Sequence, residues 1–151
     1  MLRLITKEGF QKLKNELEER RTVLRQEIAS AIKEAKEQGD LSENAEYSEA
    51  KSQQNANESR INELEMIIKN SQIVEKTESS GNVQVGSVVT VEFNKQKAEF
   101  HIVGSNEADP VNFKISNESP LGKAFMGKEK GDRVEVSIPT GVAKYKILEI
   151  K

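Results

Sequence analysis

The sequence predicts an α+β chain in which an antiparallel two-helix coiled-coil hairpin precedes a small mixed domain. Residues 8–75 contain no proline and only two glycines, whereas all three prolines and seven of the nine glycines lie at or after Gly81. The spacing of apolar residues changes from helical to strand-like near the same point. Hydrophobic residues make up only 35% of the 151 residues, which suits long solvated helices better than one thick core.

The first predicted helix begins after Thr6 and ends at Gly39. Threonine can accept a hydrogen bond from the free amides of a helix start, and glycine commonly ends helices. Apolar residues recur between these positions at steps of three and four, which places them on one helical stripe that Arg20 and Arg21 interrupt. The stripe consists of Phe10, Leu13, Leu17, Leu24, Ile28, Ala31, Ile32 and Ala35.

A second helix is predicted beyond the turn at 38–42. Its stripe alternates steps of four and three, as in a coiled-coil seam, and has two polar members. The stripe consists of Ala50, Gln54, Asn57, Ile61, Leu64 and Ile68. Because the connection is so short, the two helices should run antiparallel. Helices of about 30 residues rise roughly 1.5 Å per residue, so we expect an arm on the order of 45 Å long with the turn at its far end.

The hairpin is assigned to residues 1–76 and is followed by a polar linker at 77–82. Residues 83–151 show strand-like alternation punctuated by glycines, which predicts a small α+β domain. Ser119 and Pro120 are suited to begin a short helix over Leu121–Met126. The predicted strands are Val88–Phe93, Ala98–Val103, Val111–Ile115, Arg133–Ile138 and Ala143–Ile150.

Composition and charge exclude several classes of protein. The chain has no cysteine, which excludes disulfides, thiol catalysis and cysteine-bound metals. It has no run of 18 apolar residues, and Met1–Glu8 lacks the apolar segment of a secretory signal, so we expect a cytoplasmic protein with no membrane partner. Basic residues number 13 against 15 acidic ones in residues 1–76, and 10 against 10 in residues 77–151. Neither half has the basic surplus needed to bind free DNA or RNA unaided.

The turn between the helices is the strongest candidate site, because residues 34–51 hold six carboxylates against two lysines. Asp40 and Glu43 stand three residues apart, close enough to share one cation. Carboxylates suit a weakly held Mg²⁺ whose other ligands come from a substrate and another protein. The same pair also fits a capping box, with Asp40 as N-cap of the second helix and Glu43 at its third position. The two interpretations are compatible.

Other candidate residues carry weaker signals. His101 is the single histidine, which leaves no partner for a catalytic triad or a histidine-rich zinc site. Glu107–Asp109 can bind a metal or form a polar loop. Lys36 and Lys51 flank the tip and can reach a phosphate or serve as solvated helix charges. Tyr47 can stack on a base or pack on the other helix.

The tip segment Gly39–Tyr47, preceded by Ala31–Ala35, resembles the hairpin tip of the bacterial Gre transcript cleavage factors of the GreA type. The resemblance extends over essentially the whole chain, because carboxy-terminal motifs occur in the matching order. These motifs are Ile102–Gly104, Glu107–Asp109, Ile115–Ser116, Ser119–Gly122, Gly127–Lys128, Gly131–Asp132 and Tyr145–Ile147. For the carboxy-terminal domain the resemblance implies an FKBP-like fold.

The resemblance also implies a function. In this family the arm enters the secondary channel of a backtracked bacterial RNA polymerase. Asp40 and Glu43 match the acidic pair that helps to hold a second Mg²⁺ and to orient a water, and the polymerase then hydrolyses the nascent RNA 3′ end. The protein would therefore be a cofactor of polymerase and not an enzyme. It would have no cofactor of its own and would bind as a monomer.

Further residues take expected roles from the same resemblance. Four residues near the tip are expected to position RNA or the active site: Lys36, Asn44, Tyr47 and Lys51. The second domain is expected to dock at the channel entrance through Asp109, Ser119 and Pro120. Ser42 stands where some relatives carry a basic residue, which predicts a weak RNA contact and short cleavage products.

Three other functions fit parts of the sequence. A Gre-fold paralogue that binds the channel and inhibits polymerase would differ at the tip, so the intact acidic pair argues against it. A coiled-coil chaperone needs exposed apolar residues at the tip, where Leu41 and Tyr47 stand among acids. A prolyl isomerase needs a dense aromatic pocket, and this chain has no tryptophan.

Overall fold

The computed structural model describes residues 2–40, 44–77 and 81–151, which form two compact units. One unit is the helical hairpin Gln11–Asn70. The other combines the described residues up to Phe10 with those from Ser71 onward. Both ends of the segment assigned to the hairpin from sequence thus lie in the second unit, and residues 78–80 of the assigned linker are outside the described ranges. In the described part of the chain, no helix is long and apolar enough to cross a membrane.

The hairpin confirms the two predicted helices. Helix α1 (Lys7–Glu19) continues through a π-helical turn at Arg20–Leu24 into α2 (Arg25–Glu37), and α3 (Ala45–Lys69) returns. The hydroxyl of Thr6 accepts a hydrogen bond from the Gly9 amide at 3.0 Å, so Thr6 caps α1 as predicted.

A narrow apolar seam holds the two helical segments together. Leu17, Ile61 and Leu64 are buried as one cluster, against which Leu13 and Ile68 pack. Nearer the turn the buried apolar residues are Ile28, Ala35 and Ala50. Polar contacts between the helical segments supplement this thin seam.

The π-helical turn begins at Arg20 and Arg21, the two residues that interrupt the first apolar stripe. Asn57 lies opposite this turn and is only 4% exposed. Its amide nitrogen donates to the Arg20 carbonyl at 3.2 Å, and its amide oxygen accepts from the Arg20 guanidinium at 3.1 Å. The same carbonyl also accepts the Arg25 amide, five residues along. Both polar atoms of the buried Asn57 side chain therefore have a hydrogen-bond partner at the irregular turn.

Glu16 is the centre of an ion-pair network between the helices. Its carboxylate accepts from Arg20 Nε at 2.9 Å and from Arg60 Nε and Nη2 at 2.9 and 3.0 Å. The hydrogen bond from Arg60, helped by that from Arg20, lowers the pKa of Glu16 to about 2. The charged carboxylate is thus favoured in the folded hairpin.

This lowered pKa predicts a pH-dependent stability. Because the folded pKa is lower than the unfolded value of 4.5, the Glu16 contribution is fully present above pH 4.5 and is lost as the pH falls toward about 2. The side chain is 31% exposed, so we expect about 1–2 kcal/mol and not the full value of the shift. The measurement is chemical denaturation of wild type and Glu16→Gln, followed by far-UV circular dichroism across this range. The stability difference should shrink with falling pH, and a constant difference would contradict the assignment.

The second unit contains a two-stranded and a five-stranded sheet. Strands β1 (Arg3–Ile5) and β2 (Ser71–Ile73) pair in parallel. The larger sheet has the order β5-β4-β3-β7-β6, in which β5 pairs with β4 in parallel and the other neighbours are antiparallel. Its elements are β3 (Val88–Phe93), β4 (Gln96–Val103), β5 (Lys114–Ser116), the helix α4 (Pro120–Phe125), β6 (Arg133–Ile138) and β7 (Gly141–Ile150). This is the predicted small α+β domain.

The core of this domain lies where α4 meets the sheet. Phe125 of α4 is fully buried, and the aliphatic residues around it come mainly from the sheet strands. They are Val83, Val89, Val91, Ile102, Val134, Val136 and Ile147.

The strand predicted over Val111–Ile115 is largely wrong. Pro110–Asn112 form a 3₁₀ turn, and Phe113 has a left-handed backbone, so the strand begins only at Lys114. The cause is the pairing of Asp109 with Lys114 through two backbone hydrogen bonds, which closes the intervening residues into a loop. The apolar residues here therefore reflect a loop surface and not a buried strand.

Glu107 ties the start of α1 to the carboxy-terminal domain. One carboxylate oxygen accepts from the amides of Thr6 and Gly104 at 3.0 and 3.1 Å, and the other accepts the Thr6 hydroxyl proton. A Cβ at Gly9 would lie 2.0 Å from this carboxylate. Glycine at position 9 therefore leaves the space in which Glu107 sits.

We predict that Gly9→Ala destabilises the protein, although alanine normally favours a helix over glycine by up to about 1 kcal/mol. The new methyl group displaces the Glu107 carboxylate from three donors, which should cost about 1–3 kcal/mol. In a Glu107→Ala background the same Gly9→Ala change should be neutral or stabilising. Denaturant titration of the four proteins measures the coupling, and additive effects would contradict the account.

Candidate functional site

The tip of the hairpin begins where α2 ends. The Gln38 amide donates to the Ala35 carbonyl at 3.3 Å, and Gly39 has a φ of +128°, a value open to glycine but unfavourable for other residues. Asp40 follows and is exposed. Its predicted partner Glu43 lies outside the described residues, as do Leu41 and Ser42.

Asn44, and not Asp40, caps α3. Its side-chain oxygen accepts from the Tyr47 amide at 3.1 Å, and its nitrogen donates to the Ala35 carbonyl at 2.7 Å across the turn. The prediction that Asp40 is the N-cap of the second helix is therefore wrong, and the third position of the predicted capping box, Glu43, lies outside the described residues. The cap needs one acceptor for α3 and one donor for α2, and an amide supplies both whereas a carboxylate supplies only acceptors.

The other predicted tip residues occupy different environments. Lys36 is exposed at the end of α2, and Tyr47 is half-buried in the first turn of α3. The Lys51 ammonium donates to the Gln54 side chain at 2.8 Å and so is directed along its own helix. Four further acids near the tip are exposed, and they are Glu34, Glu37, Glu46 and Glu49. The described part of the tip is thus an acidic surface.

The predicted docking residues lie in two loops that flank the edge strand β5. On one side the Asp109 carboxylate accepts from the Asn112 side chain at 2.6 Å. On the other side Ser119 caps α4 by accepting from the Gly122 amide at 3.0 Å, and its hydroxyl donates to the Ser116 carbonyl at 2.7 Å. Pro120 is the first residue of α4 and is exposed.

The side chains that were weaker candidates for metal binding or catalysis make other contacts. Both carboxylate oxygens of Glu107 are held by Thr6 and Gly104, so this residue is structural. His101 is partly exposed, with Nε2 3.6 Å from the Glu99 carboxylate. Within 2–40, 44–77 and 81–151, no three histidine, aspartate or glutamate side chains converge on a possible metal site.

The structure adds two residues that the sequence analysis did not single out. Val111 and Phe113 are 86% and 54% exposed in the Asp109 loop. Their apolar character had indicated a strand, and only the backbone geometry of the loop shows that both face solvent.

Family comparison agrees with the geometry of both units. Residues 3–73 match the family described as "Transcription elongation factor, N-terminal", and residues 78–151 match "Transcription elongation factor, GreA/GreB, C-term". The chain belongs to the GreA/GreB family of transcription elongation factors. The resemblance inferred from the tip and carboxy-terminal motifs is confirmed.

Individual GreA/GreB-family relatives match over nearly their full length. The chain is 50% identical to "Transcription elongation factor GreA" of Acetivibrio thermocellus, over 98% of this chain and 95% of the relative. It is 53% identical to the protein of the same name from Clostridium beijerinckii, over 97% and 94%. The solved structure of "GreA factor homolog 1 (Gfh1)" of Thermus thermophilus is 31% identical, covers 100% and 99% of the two chains, and gives a TM-score of 0.45.

Proposed function

We propose that this GreA/GreB-family protein enters the secondary channel of a backtracked bacterial RNA polymerase and stimulates the polymerase to cleave the nascent RNA 3′ end. The observation that carries the proposal is the exposed carboxylate of Asp40 on a turn whose helix cap is Asn44. Asp40 is not the N-cap of α3, because Asn44 takes that position. An acid on a projecting turn is suited to act in another molecule's active site.

The donor set at the tip fits a shared Mg²⁺ ion. Carboxylate oxygens are the hard ligands that Mg²⁺ accepts, and Asp40 and Glu43 would hold it together with the polymerase and the RNA. When bound there, the ion would stabilise negative charge on the reacting oxygens of the phosphodiester. The chain itself contributes the carboxylates, and it holds no metal cofactor of its own in this proposal.

Asn44 prepares the tip for this role. By bonding α2 and α3 at once it fixes the two ends of the turn that carries Asp40. We assign to Lys36 a contact with an RNA phosphate, and its exposure beside the turn supports this role. We assign Tyr47 and Lys51 supporting roles, because the first is half-buried and the second is bonded to Gln54. Ser42 adds no positive charge, so the RNA contact should be weak and the released fragments short.

Docking is assigned to the domain after the linker. Asp109, Ser119 and Pro120 flank β5 and would contact the rim of the channel, and the hairpin Gln11–Asn70 would reach inside. One copy of the chain would act on each polymerase, in the cytoplasm. An inhibitory paralogue is disfavoured, because relatives named as the elongation factor GreA share half or more of the residues.

The proposal is tested by adding the purified protein to a stalled, backtracked elongation complex with 5′-labelled RNA. We expect shortened RNA and resumed elongation from the new 3′ end. If the RNA stays intact and polymerase is slowed, the inhibitory alternative replaces the proposal. If the protein neither binds nor alters the complex, the proposal is wrong.

A further inference from the structure

The loop that carries Asp109 contains an unexpected residue at its most constrained position. Asp109 and Lys114 exchange backbone hydrogen bonds of 2.9 and 3.0 Å, and Phe113 donates its amide to the Pro110 carbonyl at 3.2 Å. This closure places Phe113 at φ +56° and ψ +28°. Glycine and asparagine suit such a left-handed position, whereas a bulky side chain is strained there. The needs of the turn therefore do not account for phenylalanine.

Burial does not account for Phe113 either, because its side chain is 54% exposed. The ring contacts Phe100 edge to face with centroids 5.9 Å apart, and Phe100 in turn contacts the buried Phe125 at 6.0 Å. One side of the Phe113 ring thus packs on aromatic residues that reach the core, and part of the ring remains in solvent. Val111, 86% exposed in the same loop, extends the apolar surface.

This apolar pair adjoins the residues assigned to docking. Phe113 directly precedes the three-residue edge strand β5, and Ser116 at the other end binds the amide and hydroxyl of Ser119. Three strand residues span about 10 Å, so the two loops lie within one interface patch. An apolar centre with polar residues around it is the usual anatomy of a protein interface.

We infer that Phe113, with Val111 beside it, is the aromatic anchor of the polymerase-docking surface and inserts into an apolar pocket at the channel entrance. The inference rests on the proposed function and names the side chains that carry its docking step. A supported, preoriented aromatic ring loses little freedom on binding, which is typical of interface residues with large energetic effects. Polymerase is the chosen partner because the patch is continuous with Asp109, Ser119 and Pro120.

The test separates binding from folding. Phe113→Asn introduces a residue that tolerates the left-handed backbone. Phe113→Gly is a second variant that tolerates the same conformation. The control is Val142→Asn, because Val142 is 56% exposed in β7, three strands away from β5. Each protein competes with labelled wild type for core polymerase, and its thermal unfolding midpoint and sedimentation are measured in parallel.

We expect both Phe113 variants to need at least tenfold more protein for half-competition, with unfolding midpoints equal to or above that of wild type. The control should match wild type. Equal competition by the Phe113 variants would overturn the inference, and so would weak competition accompanied by lower midpoints. A wild-type dimer that the variants convert to monomer, with competition unchanged, would assign the patch to self-association. Failure of wild type itself to bind polymerase would overturn the proposed function, and the inference with it.

Discussion

Replacing Asp40 with asparagine is expected to reduce stimulated RNA cleavage by at least about 100-fold, a loss typical of removing one charge-stabilising group from an active site. Glu43→Gln should act in the same way. Polymerase binding should change little, because we assign docking to the other domain. The measurement is the single-turnover cleavage rate in a backtracked complex at saturating factor, with binding measured by competition.

Two kinds of control make this result specific. Glu37→Gln and Glu46→Gln remove the same charge from exposed positions near the tip and should leave cleavage largely intact. Asn44→Ala removes the cap of α3 and should lower stability by about 1 kcal/mol. If Asp40→Asn and Glu43→Gln both cleave as well as the parent, the acidic pair has no role in the chemistry.

The second large effect is expected at the docking loops. Pro120→Ala and Asp109→Asn should each raise the factor concentration for half-maximal cleavage about tenfold, which is the effect of a moderate interface residue. The maximal rate should not change, because the tip is intact. Pro139→Ala is the matched control, since Pro139 is an exposed proline between β6 and β7. A lower maximal rate with an unchanged half-maximal concentration would contradict the assignment.

The sequence predicts the long elements of this fold well. Thr6 caps the first helix and Gly39 follows its end, because these residue types act through local backbone geometry. The strands Val88–Phe93 and Arg133–Ile138 are also confirmed, since their alternation matches burial on one face. Local signals were sufficient wherever the local conformation and the tertiary packing agree.

Features decided by distant contacts could not be predicted. Strands β1 and β2 have three residues each, too few for a periodic pattern, and pair across the whole hairpin. The choice of Asn44 over Asp40 as cap depends on the Ala35 carbonyl, which belongs to the other helix. Likewise, Phe113 is of a residue type common in buried strands. It is exposed because the backbone hydrogen bonds between Asp109 and Lys114 close this segment into a loop.

The acidic character of the candidate site could be predicted from the sequence, but the contacts that hold the turn in place could not. The density of carboxylates around Asp40 marks the turn as acidic without any structure. Whether an acid there stabilises a helix or serves another molecule depends on which residue caps α3, and that is a structural fact. The hydrogen bonds of the Glu107 carboxylate also could not be predicted from the sequence, because its partners Thr6 and Gly104 lie on separate segments.

The central claim is that polymerase performs the cleavage and that this protein contributes carboxylates to it. Asp40 is exposed, so full hydration of Mg²⁺ competes with its carboxylate in the free protein. The decisive measurement incubates the protein, Mg²⁺ and labelled RNA with and without backtracked polymerase, using wild type and Asp40→Asn. We predict cleavage by wild type only when polymerase and Mg²⁺ are both present, and little cleavage by the variant. Cleavage of free RNA by wild type that disappears in Asp40→Asn would show a self-contained nuclease and would contradict the account.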